Sequence, residues 1–288
     1  PQQHHLRYES LKQQLEDHSA EVAVQNYLDL ATRSQAIEQW FNHKIQFDWV
    51  KAEVVKDSPS KIKDRAPKEE LLNFQLLSHL EKPTESVDII SAYFVPEESG
   101  ADRLKQLAND GVQVRVLTNS YKANDVPLVH AFYAKYRQDL LENDVELYEF
   151  LYAPEAEHLN SNTEELSKKA KVSLKGLSRS SLHAKLMALD EKQVFIGSFN
   201  FDPRSAFLNT EVGLVLESDE LQDEISDSLN QYLPQIAYEL RLDEKGHIIW
   251  LDYQKDGSVI QHKVDPETTS FQRFVMNLMT HVPIEWMM

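Results

Sequence analysis

The chain has 288 residues, 41% hydrophobic and 27% charged, the balance of a globular protein long enough to bury a core. It has no cysteine, which excludes disulfides, thiolate catalysis and cysteine-ligated zinc. A net charge of −17 repels polyanions at long range and weighs against nucleic acid as a partner, while leaving room for a locally positive pocket.

From the N-terminus, Leu6, Leu11 and Leu15, then Val22, Val24, Tyr27, Leu28 and Leu30, recur near a 3.6-residue period without Pro or Gly, which predicts helix over 5–45. The charged stretch 51–68, with Pro59 and Pro67, reads as an exposed connection. A helix over 68–80 leads into a β-rich run at 87–94. Helix 100–109, stopped near Gly111, strand 112–117, helix 126–142 and strand 145–150 follow. Strands alternating with helices of this length predict an α/β fold, a mixed and largely parallel sheet flanked by helices. Residues 154–180 read as a long polar loop. Beyond it come strands at 182–189, 193–199 and 210–217 and a helix over 219–233 ending before Pro234. Short strands at 236–242, 247–253 and 258–263, turning at Gly257, precede a helix from Thr269. The expected domains are an N-terminal helical segment and linker (1–66), a catalytic half-domain (67–235) and a C-terminal β-hairpin and helix extension (236–288).

Chemistry concentrates in one stretch. His183, Lys185 and Asp190 stand in an HxKxxxxD pattern, followed after six residues by Gly197-Ser198-Phe199-Asn200. Six fixed identities at fixed spacing arise by chance at about 10⁻⁸ per start position, taking roughly one in twenty per residue. If 182–189 is a strand, His183 and Lys185 point to one face. Imidazole and ammonium side by side repel, and a bound phosphate reconciles them. Lys185 would neutralise a non-bridging oxygen, with hydrogen bonds from Asn200 and Ser198. Gly197 would let the backbone come close. His183 is then either nucleophile, through a phosphohistidine, or general acid to the leaving alkoxide. Its other ring nitrogen needs an acceptor, and Glu211 on the next predicted strand is the candidate. One His and one Asp seven apart make no metal-ligand set, so neither a metal nor any other cofactor is expected.

These residues resemble the phospholipase D superfamily signature, and Asp202-Pro-Arg204-Ser205 and Asn209-Thr-Glu211-Val-Gly213 extend the likeness. Ser91-Ala-Tyr-Phe-Val-Pro96, Val114-Arg-Val-Leu-Thr-Asn119-Ser and the terminal Pro283-Ile-Glu-Trp-Met are similar to phrases in the C-terminal half of bacterial cardiolipin synthases of the C type. The resemblance implies a phospholipase D-like fold and metal-independent phosphatidyl transfer through a phosphohistidine. By the same resemblance His183, Lys185, Asn200 and Ser198 contact phosphate, Asp190 supports the site and Glu211 orients His183. The family builds its site from two such motifs, and no second HxK occurs in this chain. The resemblance therefore implies either an upstream half in a longer parent, the favoured reading, or a second copy of the chain. In two-motif members the N-terminal histidine is the usual nucleophile, which makes His183 the general acid and base. The implied partner is an anionic phospholipid, and the implied location is peripheral on the bacterial inner membrane. The rival readings are a phosphodiesterase or nuclease of the same superfamily, or a half-module that binds lipid without turnover.

Three weaker signals remain. Lys168, Lys169, Lys171, Lys175 and Arg179 form a basic island upstream of His183, suited to anionic headgroups or simply to a solvated loop. Phe271, Phe274, Val275, Leu278 and Met279 form a helical apolar stripe that packs on a core or meets a membrane interface. Asn119, at the end of a predicted parallel strand, sits where α/β sheets place ligand-binding groups. His4-His5 reads as a solvated terminus.

Overall fold

The computed structural model describes residues 48–63, 65–152, 181–190 and 192–287. The expected N-terminal helix, the His4-His5 pair and the 154–180 loop with its basic island lie outside the described residues. Ten strands form one sheet: β1 (Lys51–Lys56), β2 (Ser86–Ser91), β3 (Gln113–Asn119), β4 (Glu146–Phe150), β5 (Lys185–Leu189), β6 (Gln193–Gly197), β7 (Val212–Glu217), β8 (Ala237–Leu242), β9 (Ile248–Tyr253) and β10 (Val259–His262). Across the sheet they run β1-β7-β6-β5-β2-β3-β4-β8-β9-β10.

The class is the expected α/β, with a mixed sheet flanked by helices. Parallel pairing, however, is confined to β2–β3 and β3–β4, and every other neighbouring pair is antiparallel. The reason lies in connection length. The β2-to-β3 and β3-to-β4 connections run through helices long enough for a crossover, whereas β5 to β6 and β8 to β9 to β10 are joined by turns too short for one.

Helices α2 (Glu97–Asn109), α3 (Pro127–Ala134) and α4 (Arg137–Glu142) cover one face of the central strands. Leu104, Val129, Phe132 and Leu140 pack there against Val87, Ile89, Val114, Val116 and Leu147. On the other face α6 (Asp219–Ile236) sets Ile225, Leu229 and Leu233 against Ile90, Leu117, Ala188 and Val194. Burial on both faces explains why these strands read as continuous apolar runs. A third cluster packs α1 (Leu72–His79) over Val55, Phe195 and Val215.

Three boundaries differ from expectation. The stretch 51–68 is not an exposed connection: β1 closes the sheet edge against β7, Val55 is fully buried, and one unit runs from Val50 to Met288. Lys51 and Lys56 are exposed on this edge strand, whereas Asp57 and Lys61 just beyond it are buried. The sheet also continues past residue 236, because β8 pairs with β4. Finally, α6 runs through Pro234 to Ile236. Proline there forfeits a single intrahelical bond in the last turn, where its fixed φ still suits a helix.

Candidate active site

The Ser91↔Lys185 register brings the start of β5 beside the end of β2, so the motif opens on the edge where the parallel strands terminate. The segment after β2 is laced to both parts of the motif. Ala92 N donates to Ala184 O at 3.2 Å, Phe201 N to Ser91 Oγ at 3.0 Å, and Val95 N to Phe201 O at 2.7 Å. The expected phrase 91–96 is thus the seat on which the two halves of the motif meet.

His183 lies just ahead of β5, exposed, and its ring makes no hydrogen bond to any described residue. Lys185 is half-buried and donates to His183 O at 3.0 Å. Burial lowers the Lys185 ammonium pKa, and the charges of Glu211, Asp202 and Asp125 only partly oppose this. Asn200 is buried, its Oδ1 has no partner and its Nδ2 makes no hydrogen bond to a described residue, so the whole carboxamide is uncommitted. A buried amide left open in this way is a ready partner for a ligand.

Asp190 sits at the opposite end of β5, in the turn to β6, with φ of 46°. Its carboxylate accepts from Thr84 N (2.6 Å), Thr84 Oγ1 (3.1 Å), Glu85 N (2.8 Å) and Ser86 N (2.9 Å). Burial alone would raise its pKa, but these hydrogen bonds from Ser86, Glu85 and Thr84 outweigh it and lower it. Asp190 therefore ties the β5–β6 turn to the start of β2.

Three expected roles, those of Glu211, Ser198 and Asn119, differ in the structure, and Gly197 finds its close neighbours in the sheet. Glu211 does not hold His183: its Oε2 accepts from Ser198 Oγ. Ser198 is thereby spent, since its single hydroxyl proton goes to Glu211 while Val212 N donates to its oxygen at 3.1 Å. Gly197 serves strand packing. It pairs with Gly213, and a Cβ on it would stand 2.6 Å from Val212 O and 2.9 Å from the ring of Phe195, which fills the space over both glycines. Asn119 is a clamp and not a ligand group. Fully buried, it donates from Nδ2 to Ala92 O and Leu182 O, both at 3.0 Å, and accepts from Leu182 N at 2.8 Å. It fixes the backbone immediately before His183.

Asp202 belongs to the extended signature, and its electrostatics come from the fold. It caps α5 (Pro203–Phe207) by accepting from Ser205 N at 2.7 Å. Burial pushes its pKa up to about 6, the Ser205 bonds oppose the rise, and the Glu211 charge adds to it. The folded carboxyl thus keeps its proton up to about pH 6, whereas the unfolded one releases it near the ordinary 3.8. The fold loses stability as pH rises between those values and is unaffected below both. Asp202→Asn keeps the cap. Its stability advantage over wild type is expected to be nil below about pH 4 and on the order of 2–3 kcal/mol by pH 7, measured by denaturation across pH.

His130, Glu149 and Asp265 have the mutual spacing of a cation site. Arg137 already takes that place. Its guanidinium donates to Glu149 Oε1 at 2.9 Å and to both Asp265 oxygens at 2.8 and 2.9 Å, while His130 Nε2 lies 3.1 Å from Asp265 Oδ1.

Residues 76–233, more than half of the chain, match the family model described as "Cardiolipin synthase, PLD-like domain". The chain belongs to this PLD-like family. Cardiolipin synthase C of Escherichia coli K12 is 38% identical over 268 residues, which are 93% of this chain and 54% of the relative. A cardiolipin synthase of Geobacillus sp. WCH70 is 32% identical over 131 residues, 46% of this chain and 20% of the relative. The chain therefore spans about half or less of the length of these relatives. Among solved structures, the phospholipase D family member Nuc from Salmonella typhimurium aligns over 67% of this chain and 99% of its own, with TM-score 0.46 and 13% identity. This PLD-like chain is thus a cardiolipin synthase homologue whose family match covers His183, Lys185, Asn200 and Glu211 but not residues 50–75.

Proposed function

We propose that the chain supplies the C-terminal catalytic half of a phosphatidyltransferase that makes cardiolipin-type lipids through a phosphohistidine. The observation that carries this reading is the uncommitted Asn200 carboxamide on the same sheet edge as an exposed imidazole and a half-buried ammonium. A tetrahedral phosphate diester is the ligand that uses all three: charge neutralisation by Lys185, hydrogen bonding by Asn200, and proton transfer by His183.

Charge supports a second contributor. Lys185 feels the carboxylates of Glu211, Asp202 and Asp125, so among the described residues this ammonium faces three acids. A phosphodiester monoanion needs further cations, which a second HxK motif would bring from an upstream half or another copy of the chain. In this scheme the second motif's histidine attacks phosphorus. A P–N bond forms, the P–O bond to the leaving alcohol breaks, and the His183 imidazolium gives its proton to the departing alkoxide. The acceptor alcohol then loses its proton to His183 as its oxygen attacks phosphorus and the P–N bond breaks.

The lipid side of the proposal rests on the C-terminal helix. Thr269 and Gln272 form a capping box at the start of α7 (Ser270–Met279), and Met276 is its buried contact. Phe271, Phe274 and Leu278 are exposed on α7, as are Trp286 and Met287 beyond it. Such an apolar, aromatic face suits a peripheral seat in a lipid interface. No helix among the described residues is long and apolar enough to cross a membrane.

The test is product analysis by mass spectrometry of the complete enzyme incubated with phosphatidylglycerol vesicles. A dimeric phosphatidyl product is expected, undiminished by a metal chelator. Release of phosphatidate alone, or cleavage of DNA with no lipid product, would replace this reading with the hydrolase or nuclease one.

A further inference from the structure

Asp57 and Lys61 form an ion pair inside the unit, at 2.7 Å, with side-chain exposures of 0% and 2%. The pair lies in the stretch that sequence alone presents as an exposed connection, and outside the residues matched by the family model. Stability is a poor account of it. Burying two charges carries a desolvation penalty that their attraction rarely exceeds, and hydrocarbon of equal volume often serves as well or better. What hydrocarbon cannot supply is directional hydrogen bonding, and here every remaining bond is to backbone. Asp57 Oδ1 accepts from Leu72 N at 2.8 Å, Asp57 Oδ2 accepts from Glu211 N at 2.8 Å, and Lys61 Nζ donates to Ser205 O at 2.8 Å.

Two of these three backbone groups belong to the candidate site. Glu211 is held at two points, because Asp57 N also donates to Glu211 O at 2.9 Å. Its side chain is thereby aimed at Ser198. Ser205 is the hub of α5: its amide caps onto Asp202, and its hydroxyl oxygen accepts from Asn200 N at 3.3 Å. Lys61 thus fixes the turn that carries the uncommitted Asn200 carboxamide. The remaining bond, to Leu72 N, ties the pair to α1.

We propose that the buried Asp57–Lys61 pair is a positioning element of the phosphodiester site, setting Glu211 from one side and the Asn200–Ser205 turn from the other. The pair touches no substrate and acts through the backbone that carries Asn200 and through Glu211, whose charge bears on Lys185. The inference rests on the functional reading above and adds residues outside the family match to it.

The test uses the complete enzyme and the charge-free double variant Asp57→Asn/Lys61→Met. With both charges removed no ion is left stranded, so the melting temperature is expected to stay within a few degrees of wild type. Turnover per folded molecule is expected to fall about 10- to 100-fold, as for a misplaced reacting group. KM should change less than about threefold, because Lys185, which the pair does not touch, still neutralises the bound phosphate, whereas Asn200 must be in place as charge builds up in the transition state. The limbs of the pH–rate profile should also shift as Glu211 and Asp202 relax relative to Lys185. Wild-type kcat in a folded double variant would overturn the proposal and leave the pair a structural feature only. If the double variant fails to fold, Lys61→Gln carries the same test, since it exchanges the ammonium for a neutral amide donor. Reduced kcat at unchanged KM supports positioning there, and unchanged kcat overturns it. A His183→Asn enzyme assayed in parallel separates the two levels. If it is inactive while the pair variants are fully active, only the positioning role fails. If it is active, the functional reading fails with it.

Discussion

His183→Asn in the complete enzyme is expected to lower turnover by about 10²- to 10⁴-fold, the usual worth of a positioned general acid and base. The loss should leave folding untouched. His183 is exposed and its ring makes no hydrogen bond to a described residue, so no buried contact goes with it, and surface changes of this kind stay within about 0.5 kcal/mol. Asparagine is polar and close in size but cannot exchange a proton near neutral pH. The decisive measurement is kcat on lipid vesicles beside a melting curve. A His183→Asn enzyme that turns over at wild-type rate would remove the chemical role of this imidazole altogether.

The largest stability effect is expected from Arg137→Met. Arg137 is buried against the rings of Tyr133 and Trp250 and joins two buried acids, Glu149 and Asp265. Removing the cation strands both carboxylates, a change that costs about 3–5 kcal/mol when one partner of a buried pair is lost. For a unit of this size, each kcal/mol corresponds to about 2–4 °C of melting temperature, so a fall of roughly 6–20 °C is expected. The pH dependence should change as well. Burial alone would raise the Asp265 carboxyl, but the Arg137 charge and the hydrogen bonds from His130 and Arg137 override it and hold it well below the ordinary carboxylate range. Such a depressed group contributes stability that is present above the unfolded pKa near 3.8 and fades as pH falls toward the folded one. In the Arg137→Met protein burial acts on Asp265 without that charge, and stability should instead drop as pH rises through the weakly acidic range. Equal melting temperatures for the two proteins at pH 7 would show that the cluster contributes little.

The two experiments probe different parts of one sheet. His183 stands on the open edge, where a strand end can face solvent. Arg137 lies under the same end of the sheet, connected to it through His130, whose Nδ1 lies 3.4 Å from Asn119 O. Asn119 in turn clamps Leu182, the residue before His183. Arg137 itself touches neither His183 nor Lys185, so its loss should lower activity mainly in step with the folded fraction, whereas loss of His183 acts at full folding.

The sequence by itself determined what depends on neighbours in the chain. Fixed spacing carried the motif of His183, Lys185 and Asp190 with Gly197, Ser198 and Asn200, and hydrophobic periodicity carried most strands and helices. Even the capping of the last helix by Thr269 follows from residues next to one another. Only the tertiary structure decided what depends on which strands become neighbours. Glu211 reaches Ser198 because β6 and β7 pair with Gly197 opposite Gly213. Asn119 is occupied because the end of β3 comes within hydrogen-bond reach of residue 182, sixty-three positions away. Asp57 and Lys61 look like surface charges in a charged segment, and they become buried partners of the motif only when β1 closes the sheet edge. A short charged stretch carries no periodicity to betray burial, because an ion pair that satisfies itself and nearby backbone groups can enter an interior that its composition alone would forbid.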